Sequence, residues 1–559
     1  MKSLMRGVIL CRFHAGSMTA WECVDGGSSG CDLEVKGGPM TRKLCVLVAV
    51  LALMVITVGT ASAQDAKAVL QAASRAMGAP KTVQITGTGW NAAVGQSFSP
   101  EADWPRFEVT RYTRTIDYDA KSSREELTRR QGNNPPRGGG GTPLQGEQQQ
   151  VAIVSGNYAW NMQDGKAVPQ PGQYLAGIPI PEFRQLDLLL TPHGFLRAAM
   201  AANNPTAISL TLPASPGAIT QNGKATLVSF TAMGKYRVVG TFNDQNLLEM
   251  VHTWIPNPVY GDMLYELRYT NYKDFGGVKF PTMLHIHQGD PRLSAAHNSM
   301  EITLTNVQPN VSVAAIAVPE EVRRATAPPV RAESQKLADG IWLIAGGTHN
   351  SVAVDFQDFV TVIEAPLNEE RSLAVLAEVG RLIPNKPIRY VVNTHHHFDH
   401  TGGLRTYLAQ GATIVTHHEN RDYLDRVLFS PAPRTLQPDR FSAYYPYFSG
   451  GRRPLPIETV NQKYVISDGA RTLDLYPVQG LNHNPFMLVA YFPKEKILVN
   501  ADLYTPPAQG APAPAPNANM RSLNQNIQRL KLDVAQHVPI HGQPGPASQF
   551  VQIMGRGTN

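Results

Sequence analysis

Hydrophobic and polar residues alternate over much of the chain between residues 64 and 318, as they do in half-buried β-strands. From Met263 to Tyr269 every second residue is apolar, and Glu266 and Arg268 occupy the opposite face. The same kind of pattern predicts further strands at Arg106–Tyr118, Gln150–Trp160, Tyr236–Phe242, Leu247–Trp254 and Met300–Val307. Turn residues between these runs favour antiparallel neighbours, so we predict a mainly antiparallel β domain over 64–318.

Two helices interrupt this pattern. One is predicted at Ala66–Met77 and another near Gln185–Ala201. The segment Gln131–Gln150 is rich in glycine, glutamine and proline, which predicts a low-complexity loop that cannot pack a core. A proline-containing stretch with mixed charges, at 319–335, is predicted to be the linker to a second domain.

From Lys336 onward, over 336–559, the order of elements changes to strand-helix-strand. Short apolar runs predict strands, and a helix with one apolar face is predicted at Asn368–Ile383, where Pro384 stops it. A last helix is predicted at Arg521–Leu532. The predicted strands are Ile341–Ile344, Ser351–Asp355, Phe359–Ile363 and Ile388–Asn393. This order predicts an α/β domain whose helices cover the sheet.

Composition bounds the function classes. The chain has 559 residues, 42% of them hydrophobic and 17% charged, which is typical of a globular protein with more than one domain. The formal net charge of +6 is not concentrated in a basic block, so we expect no nucleic-acid partner. All four cysteines lie before Ala63, which excludes a thiolate ligand or a disulfide framework from the remaining chain.

The N-terminal 63 residues predict export. Arg42-Lys43 precede an apolar segment, Leu44–Thr60, and Ala61-Ser62-Ala63 has the small-x-small pattern of a cleavage site. We expect translation to start at Met40 and residues 1–63 to be absent from the mature protein, which would be periplasmic or secreted. The alternative is that the apolar segment stays as a membrane anchor, because about 17 apolar residues can just span a bilayer.

The strongest chemical signal lies directly after the predicted strand Ile388–Asn393. Three histidines and one aspartate, His395, His396, His397 and Asp399, are followed at once by His400. Imidazole and carboxylate ligands together suit zinc, iron or manganese. Alternation along an extended chain points His395 and His397 the same way, so both can hold one ion, while Asp399 and His400 can reach a second.

The pattern His395-x-His397-x-Asp399-His400 resembles the signature of the metallo-β-lactamase superfamily, and further segments match the rest of its ligand set in order. "GLNHNPFMLVAYF" contains His483, "KILVNADLY" contains Asp502 and "VPIHGQPG" contains His541. The resemblance implies an αββα sandwich and two divalent metal ions, with zinc the expected metal and iron or manganese the alternatives. It assigns His395, His397 and His483 to the first ion, Asp399, His400 and His541 to the second, and Asp502 to a bridge between them.

The resemblance also implies a hydrolytic mechanism, in which a hydroxide shared by the two ions attacks the substrate. Asp399 is expected to orient this nucleophile or move its proton, and Tyr504 to donate a hydrogen bond to a substrate oxyanion. Cysteine-containing β-lactamases place a thiolate in the region of Asp502, and this chain has none there, so the resemblance of His400 and Asp502 is closer to the glyoxalase, lactonase and phosphodiesterase branches. His349 is a candidate for the pocket edge, whereas Glu364 is interpreted as part of a structural turn without a functional role.

A second resemblance concerns the front domain. Residues 236–288, including "YTNYKDFGGVKFPTML", resemble the periplasmic lipoprotein-carrier fold, a curved antiparallel sheet over a helix. Three functions follow as hypotheses. The first is an exported hydrolase of a small ester, thioester, lactone or amide, the second is a β-lactamase acting on antibiotics, and the third is a carrier of lipid-like ligands. The expected partner is a small-molecule substrate, without a stable membrane span after cleavage and with a homo-oligomer left open.

Overall fold

A fourteen-stranded antiparallel sheet forms the front part of the computed structural model, which describes residues 62–211, 224–428, 434–444, 456–508 and 510–555. The predicted export segment therefore lies outside the described residues, except for its last two positions. Within the described residues, no helix is long and apolar enough to cross a membrane.

Most strands of this sheet pair with their neighbour in sequence, as the turns between them predicted. The sheet consists of two such runs, which join where Asn298–Pro309 pairs with Thr82–Ala92. The first run comprises Thr206–Thr211, Lys224–Ala232, Tyr236–Phe242, Leu248–Asn257, Gly261–Asp274, Lys279–Gln288 and Asn298–Pro309, with Ser62–Gln64 added at its edge. The second comprises Thr82–Ala92, Arg106–Asp117, Ser122–Arg130, Gln148–Ser155, Tyr158–Gln163 and Lys166–Pro169. A separate two-stranded hairpin pairs Gln173–Tyr174 with Ile178–Pro179.

Three helices pack against the sheet. Ala66–Met77 has the predicted bounds, and the Asp65 side chain caps its first turn. The single helix predicted near Gln185–Ala201 is in fact two, Ile180–Leu190 and Pro192–Ala201. The break falls at Thr191 because a residue before proline is driven out of the helical conformation. Apolar residues of all three helices share a core with the strands.

The C-terminal part contains two sheets packed face to face. In the seven-stranded sheet the first four strands pair antiparallel, and the fourth to seventh strands pair parallel. Its strands are Glu333–Ala338, Ile341–Ala345, Ser351–Asp355, Val360–Ile363, Ile388–Val392, Thr413–His417 and Ile457–Val460. The six-stranded sheet comprises Tyr464–Ser467, Thr472–Pro477, Leu488–Phe492, Ile497–Asn500, Gln536–Pro539 and Gly545–Pro546. Leu343, Val352, Val392, Leu475 and Val499 are fully buried between them.

Helices cover both outer faces, which gives the predicted αββα order. Glu369–Leu382 begins at Asn368, whose side chain accepts a hydrogen bond from the backbone N–H of Arg371. The other helices of this part are Phe398–Thr401, Leu404–Ala409, Arg421–Leu428, Arg440–Tyr444, Ala518–Arg529 and Ala547–Gly555. The predicted α/β class with a preceding antiparallel β domain is thus confirmed.

The two parts share buried apolar surface. Residues Ala61–Asn559 form one compact unit, and a single apolar cluster runs from the front sheet to the helices of the seven-stranded sheet. At the junction the ring of Phe398 packs against Tyr260, with ring centroids 4.8 Å apart. The predicted linker contains a short helix, Glu320–Arg324, and the start of the strand Glu333–Ala338.

Candidate metal centre

The seven predicted ligands come from different strands but meet at one edge of the sandwich. Residues 393–397 follow the parallel strand Ile388–Val392, and Asp502 follows Ile497–Asn500. His541 follows Gln536–Pro539, and His483 lies in the loop before Leu488–Phe492. Loops that leave the carboxyl ends of neighbouring parallel strands converge in this way, which is why such edges hold ligands in α/β folds.

The carboxylate of Asp502 lies at the centre of the cluster. Its Oδ2 atom is 3.2 Å from Nε2 of His395, 3.1 Å from Nε2 of His400 and 3.1 Å from Nε2 of His483. Its Oδ1 atom is 2.9 Å from Nε2 of His541. Asp502 has a left-handed backbone with a φ of 57°, which a non-glycine residue adopts at a cost. One carboxylate therefore faces histidines of both predicted ion sites.

Two groups of possible ligand atoms surround this carboxylate. One group comprises His395, His397, His483 and Asp502, whose ligand atoms all lie within 4.8 Å of one another. The other comprises His349, Asp399, His400 and His541, within the same limit. The structure thus brings together all seven residues that the resemblance nominated, and it places His349 within the second group.

Hydrogen bonds fix the orientation of the first group. His395 Nδ1 lies 3.0 Å from the Thr394 hydroxyl, and its Nε2 faces Nδ1 of His397 at 3.0 Å. His397 donates its Nε2–H to the carbonyl oxygen of Ser97 at 2.8 Å. That bond leaves the lone pair of His397 on Nδ1, directed into the cluster. Metal-binding histidines are held in this manner, with the second ring nitrogen bonded to a carbonyl or carboxylate.

The second group has similar supports, and one of them corrects the sequence analysis. Glu364, interpreted there as a structural turn without a role, is fully buried, and its Oε2 accepts a hydrogen bond from Nδ1 of His400 at 2.6 Å. Its Oε1 accepts the backbone N–H of Thr394 at 2.7 Å. His541 uses Nδ1 for the carbonyl oxygen of Thr348 at 3.1 Å. Both imidazoles thereby present Nε2 to Asp502.

The local electrostatics of the first group favour a bound cation. Burial lowers the pKa of His397 to about 3 and that of His395 well below its usual range, so both rings are neutral. Burial alone would raise the pKa of Asp502, but the neighbouring His400 and His483 hold it well below its usual range. Neutral imidazoles and ionised carboxylates are the forms in which these side chains bind metals.

The geometry of the donor atoms fits bound metal. The Nε2 atoms of His541 and His400 face each other at 3.3 Å, as Nε2 of His395 faces Nδ1 of His397. The Nε2 atom of His483 is buried without a hydrogen bond. Nitrogen atoms that converge on a shared carboxylate can hold a cation, and a bound cation would give the buried Nε2 atom of His483 a partner.

Residues of the front domain reach the same cluster, and the sequence analysis missed them. Gln96 donates from Nε2 to Oδ1 of Asp399 at 2.8 Å. The backbone carbonyl of Ser97 accepts the hydrogen bond from His397. The Ser97 hydroxyl lies 3.0 Å from Nε2 of His396, whose ring points away from the cluster. No spacing or charge pattern in the sequence links positions about three hundred residues apart, so only the fold could reveal these contacts.

The glycine-rich loop 131–150 also differs from its prediction. It was predicted to be unable to pack a core, yet three of its residues, Gly138, Gly139 and Leu144, are buried. Gly138 donates its backbone N–H to the carbonyl of Asn482 at 2.8 Å, beside His483. A Cβ atom on Gly139 would stand 2.0 Å from Oε1 of Gln96 and 2.9 Å from Cε1 of His397. Glycine is required there because the backbone approaches the metal cluster closely.

Tyr504, predicted to donate to a substrate oxyanion, lies elsewhere. Its ring packs in the core against His537 and Phe550, with centroids 5.1 Å and 4.6 Å away. Its hydroxyl is buried and bonds to no other group among the described residues. The chain turns at Asp502, whose backbone is left-handed, so that the Asp502 side chain faces the cluster and the Tyr504 side chain packs in the core. The structure therefore gives no contact between Tyr504 and the cluster among the described residues, and its catalytic role stays a prediction.

His349, the candidate for the pocket edge, lies within the cluster. Its Nε2 atom is 3.2 Å from Oδ2 of Asp399, and its ring centroid is 4.1 Å from that of His541. Its Nδ1 atom is 2.7 Å from the Thr348 hydroxyl. Its sequence context gave only a histidine after two glycines, which is a weak signal without the fold.

Residues 344–536 match the family model of the metallo-beta-lactamase superfamily. The 2,4-dinitroanisole O-demethylase subunit alpha of Nocardioides sp. (strain JS1661) is 25% identical over 206 residues, which are 36% of this chain and 55% of that protein. The chain thus spans about half the length of this curated relative.

Solved structures also align with the C-terminal part. A metallo-beta-lactamase from Pontibacter korlensis is 20% identical, with 41% of this chain and 100% of that chain covered and a TM-score of 0.29. The metallo-beta-lactamase FIM-1 from Pseudomonas aeruginosa, in its mono-zinc form, is 17% identical, with 41% and 96% covered and a TM-score of 0.30.

Proposed function

Because residues 344–536 belong to the metallo-β-lactamase superfamily, we propose that the protein is an exported hydrolase with a dinuclear zinc site. The proposed substrates are small esters, thioesters, lactones or amides. The observation that supports it best is the position of the Asp502 carboxylate, within 3.2 Å of His395 on one side and 2.9 Å of His541 on the other. When bound, two divalent ions would activate a water molecule and polarise the scissile carbonyl.

The chain's own residues provide the rest of the mechanism. Asp399 is held from both sides, by Gln96 on Oδ1 and by His349 on Oδ2. Burial alone would raise the pKa of Asp399, but its interaction with His400 and its hydrogen bond with His349 hold it well below its usual range, so the carboxylate is ionised at neutral pH. Its Oδ2 atom is therefore the proposed acceptor for the proton that the attacking water loses.

Access supports an approach of substrate from the side of the second group. The side chains of Asp399 and His541 are each 31% exposed, whereas those of His395 and His400 are fully buried. The sequence of Arg421–Pro456 is rich in aromatic residues, which suit the wall of an apolar pocket or an interdomain or dimer contact, but this segment lies partly outside the described residues. Within the described part, Phe441 packs beneath the Arg405 guanidinium instead. The substrate therefore stays a proposal at the level of chemical class.

Metal content is the decisive test. We expect about two zinc ions per purified chain, and fewer in Asp502→Ala and His541→Ala. His418→Ala is the matched control, because this exposed histidine lies outside the cluster, and it should keep both ions. One tightly bound ion that survives His541→Ala would contradict the dinuclear mechanism.

A substrate screen then distinguishes the proposed hydrolase activity from the β-lactamase alternative. It includes simple esters, thioesters, lactones and amides, nitrocefin for the β-lactamase alternative, and 2,4-dinitroanisole because of the relative's name. Asp399→Asn should lose most of the activity found, by roughly a hundredfold or more, because general base catalysis contributes on that order. Turnover of nitrocefin in preference to the other substrates would replace the first proposal with the β-lactamase function.

A second proposed role, binding of a lipid-like ligand in the front domain, is favoured by a cavity of about 370 Å³. Apolar residues such as Ile85, Phe183 and Leu284 line it, with the buried Arg114–Asp187 ion pair, 2.8 Å long, at its wall. This volume falls within the range of small-molecule sites, which is about 300–1,000 Å³. Displacement of a fluorescent fatty acid tests it: Ala152→Trp, inside the cavity, should abolish binding, and Ala327→Trp, on the surface, should not.

A further inference from the structure

The junction between the front domain and the metal cluster shows a directional hydrogen-bond chain through Gln96. Its Oε1 atom accepts the backbone N–H of Gly140 at 3.0 Å, and its Nε2 atom faces Oδ1 of Asp399 at 2.8 Å. A backbone N–H can only donate, so the amide oxygen must face Gly140. The amide N–H₂ group must then face Asp399, which fixes the orientation of the side chain without ambiguity.

The chain segment that carries Gln96 is itself held firmly. Ala93 donates its N–H to the carbonyl of Pro105, and Gly139 donates its own to the carbonyl of Gln96. Gly139 approaches so closely that any side chain there would collide with Gln96 and with His397. The glycine run therefore acts as a tight support for the amide, since it supplies a backbone donor where no side chain would fit.

From this chain of contacts we propose that Gln96 is a positioning residue for the second metal ion, through Asp399, and that the front domain is part of the metal site. The carboxylate of Asp399 has one oxygen on Gln96 and the other beside His349. Loss of the Gln96 donor frees the carboxylate to rotate away from the position it shares with His400 and His541. The inference rests on the proposed dinuclear site and assigns to the front domain a task within it.

The first ion depends on the same segment through a different atom. The backbone carbonyl of Ser97 accepts from His397, and substitution of the Gln96 side chain does not remove that carbonyl. Gln96 variants should thus affect one ion selectively. A merely structural role for Gln96 would change both ions together, or the stability of the metal-free protein.

The experiment is a zinc titration of metal-depleted full-length protein in competition with a chromophoric chelator. In Gln96→Ala we expect the affinity for the second ion to fall about tenfold or more, which is usual for loss of a residue that orients a ligand. The affinity for the first ion and the thermal midpoint of the metal-free protein should stay at wild-type values. Gln84→Ala is the matched control, because Gln84 is a half-buried glutamine in Thr82–Ala92 that bonds to Thr115.

A second variant covers the case in which Gln96→Ala does not fold. Gln96→Glu keeps the size and the bond to Gly140 but places a second carboxylate against Asp399, so it should weaken the second ion further. Gly139→Ala should weaken both ions, because its Cβ atom would stand 2.0 Å from Oε1 of Gln96 and 2.9 Å from Cε1 of His397, whereas Gly172→Ala, with open space around it, should weaken neither.

The outcomes distinguish the positioning role of Gln96 from the dinuclear site on which it depends. Two ions bound with wild-type affinity in a folded Gln96→Ala and Gln96→Glu would overturn the positioning role and leave the dinuclear site intact. Fewer than two ions in the wild-type protein would instead overturn the proposed function itself.

Discussion

Glu364 and His400 form a fully buried pair, in which Oε2 of the carboxylate accepts from Nδ1 of the imidazole at 2.6 Å. Glu364 has a left-handed backbone with a φ of 72°, so the turn after the strand Val360–Ile363 is shaped to aim its side chain inward. The pair sets the tautomer of His400: with hydrogen on Nδ1, the lone pair on Nε2 faces Asp502 and the second ion site.

Substitution of Glu364 by glutamine is therefore expected to impair the second metal ion. The amide oxygen of Glu364→Gln can still accept the N–H of Thr394, but its N–H₂ group then faces Nδ1 of His400. The imidazole must move its hydrogen to Nε2, where it blocks metal binding. We expect a 10- to 100-fold loss of affinity for the second ion in a zinc titration. Glu378→Gln, which disrupts a surface pair with Arg381, is the control and should bind both ions normally.

Tyr504→Phe tests the assignment of Tyr504 to the core. Because its hydroxyl is buried and bonds to no other described group, we expect hydrolysis within about twofold of wild type. The free energy of unfolding should stay equal or rise by about 1 kcal/mol, since an unpaired buried hydroxyl is destabilising. A tenfold or larger loss of kcat with unchanged metal content would restore the oxyanion role.

His193 should make the stability of the front domain depend on pH. Its ring is buried, with one nitrogen 3.2 Å from the carbonyl of Met77, and burial lowers its pKa from 6.5 to about 4. Above pH 6.5 the ring is neutral in both states, so no stability is lost. As the pH falls from 6.5 to 4 the unfolded chain takes up the proton first, and stability declines.

The measurement is denaturant unfolding of wild type and His193→Gln at pH 7.5 and pH 5. The decline between the two pH values should be smaller in the variant by roughly 2 kcal/mol, from the size of the shift. His418→Gln, at an exposed position, should decline as wild type does. Equal declines in all three proteins would show that folding does not lower the pKa of His193.

Removal of metal should destabilise the protein. The ligands of both groups are assembled only in the folded chain, so ions that bind this state alone shift the unfolding equilibrium. At a free zinc concentration a hundred times the dissociation constant, the gain is about 2.7 kcal/mol per ion. A strong chelator should therefore lower the unfolding midpoint of wild type, while Asp502→Ala should respond much less. An identical response of the two proteins would argue against Asp502 as a shared ligand.

Local patterns in the sequence predicted much of the secondary structure. The helix Ala66–Met77 and the strands Ser351–Asp355 and Tyr236–Phe242 have the predicted bounds. Periodicity and capping residues act over a few positions, so they are readable without the fold. The predicted strand Gln150–Trp160 is instead a hairpin, because Ser155-Gly156-Asn157 interrupt the apolar residues and form a turn between Gln148–Ser155 and Tyr158–Gln163.

The chain's own order of histidines and aspartates determined the candidate ligands, since each residue follows a strand and carries a recognisable local context. Tertiary structure alone decided what surrounds them. In the folded chain Glu364 accepts a hydrogen bond from His400, and Tyr504 packs in the core. Gln96 and Ser97 joined the site from 303 and 300 residues away. Such contacts depend on how the front sheet packs against the metal domain. Local sequence patterns reflect only neighbouring positions, so they do not reveal this packing.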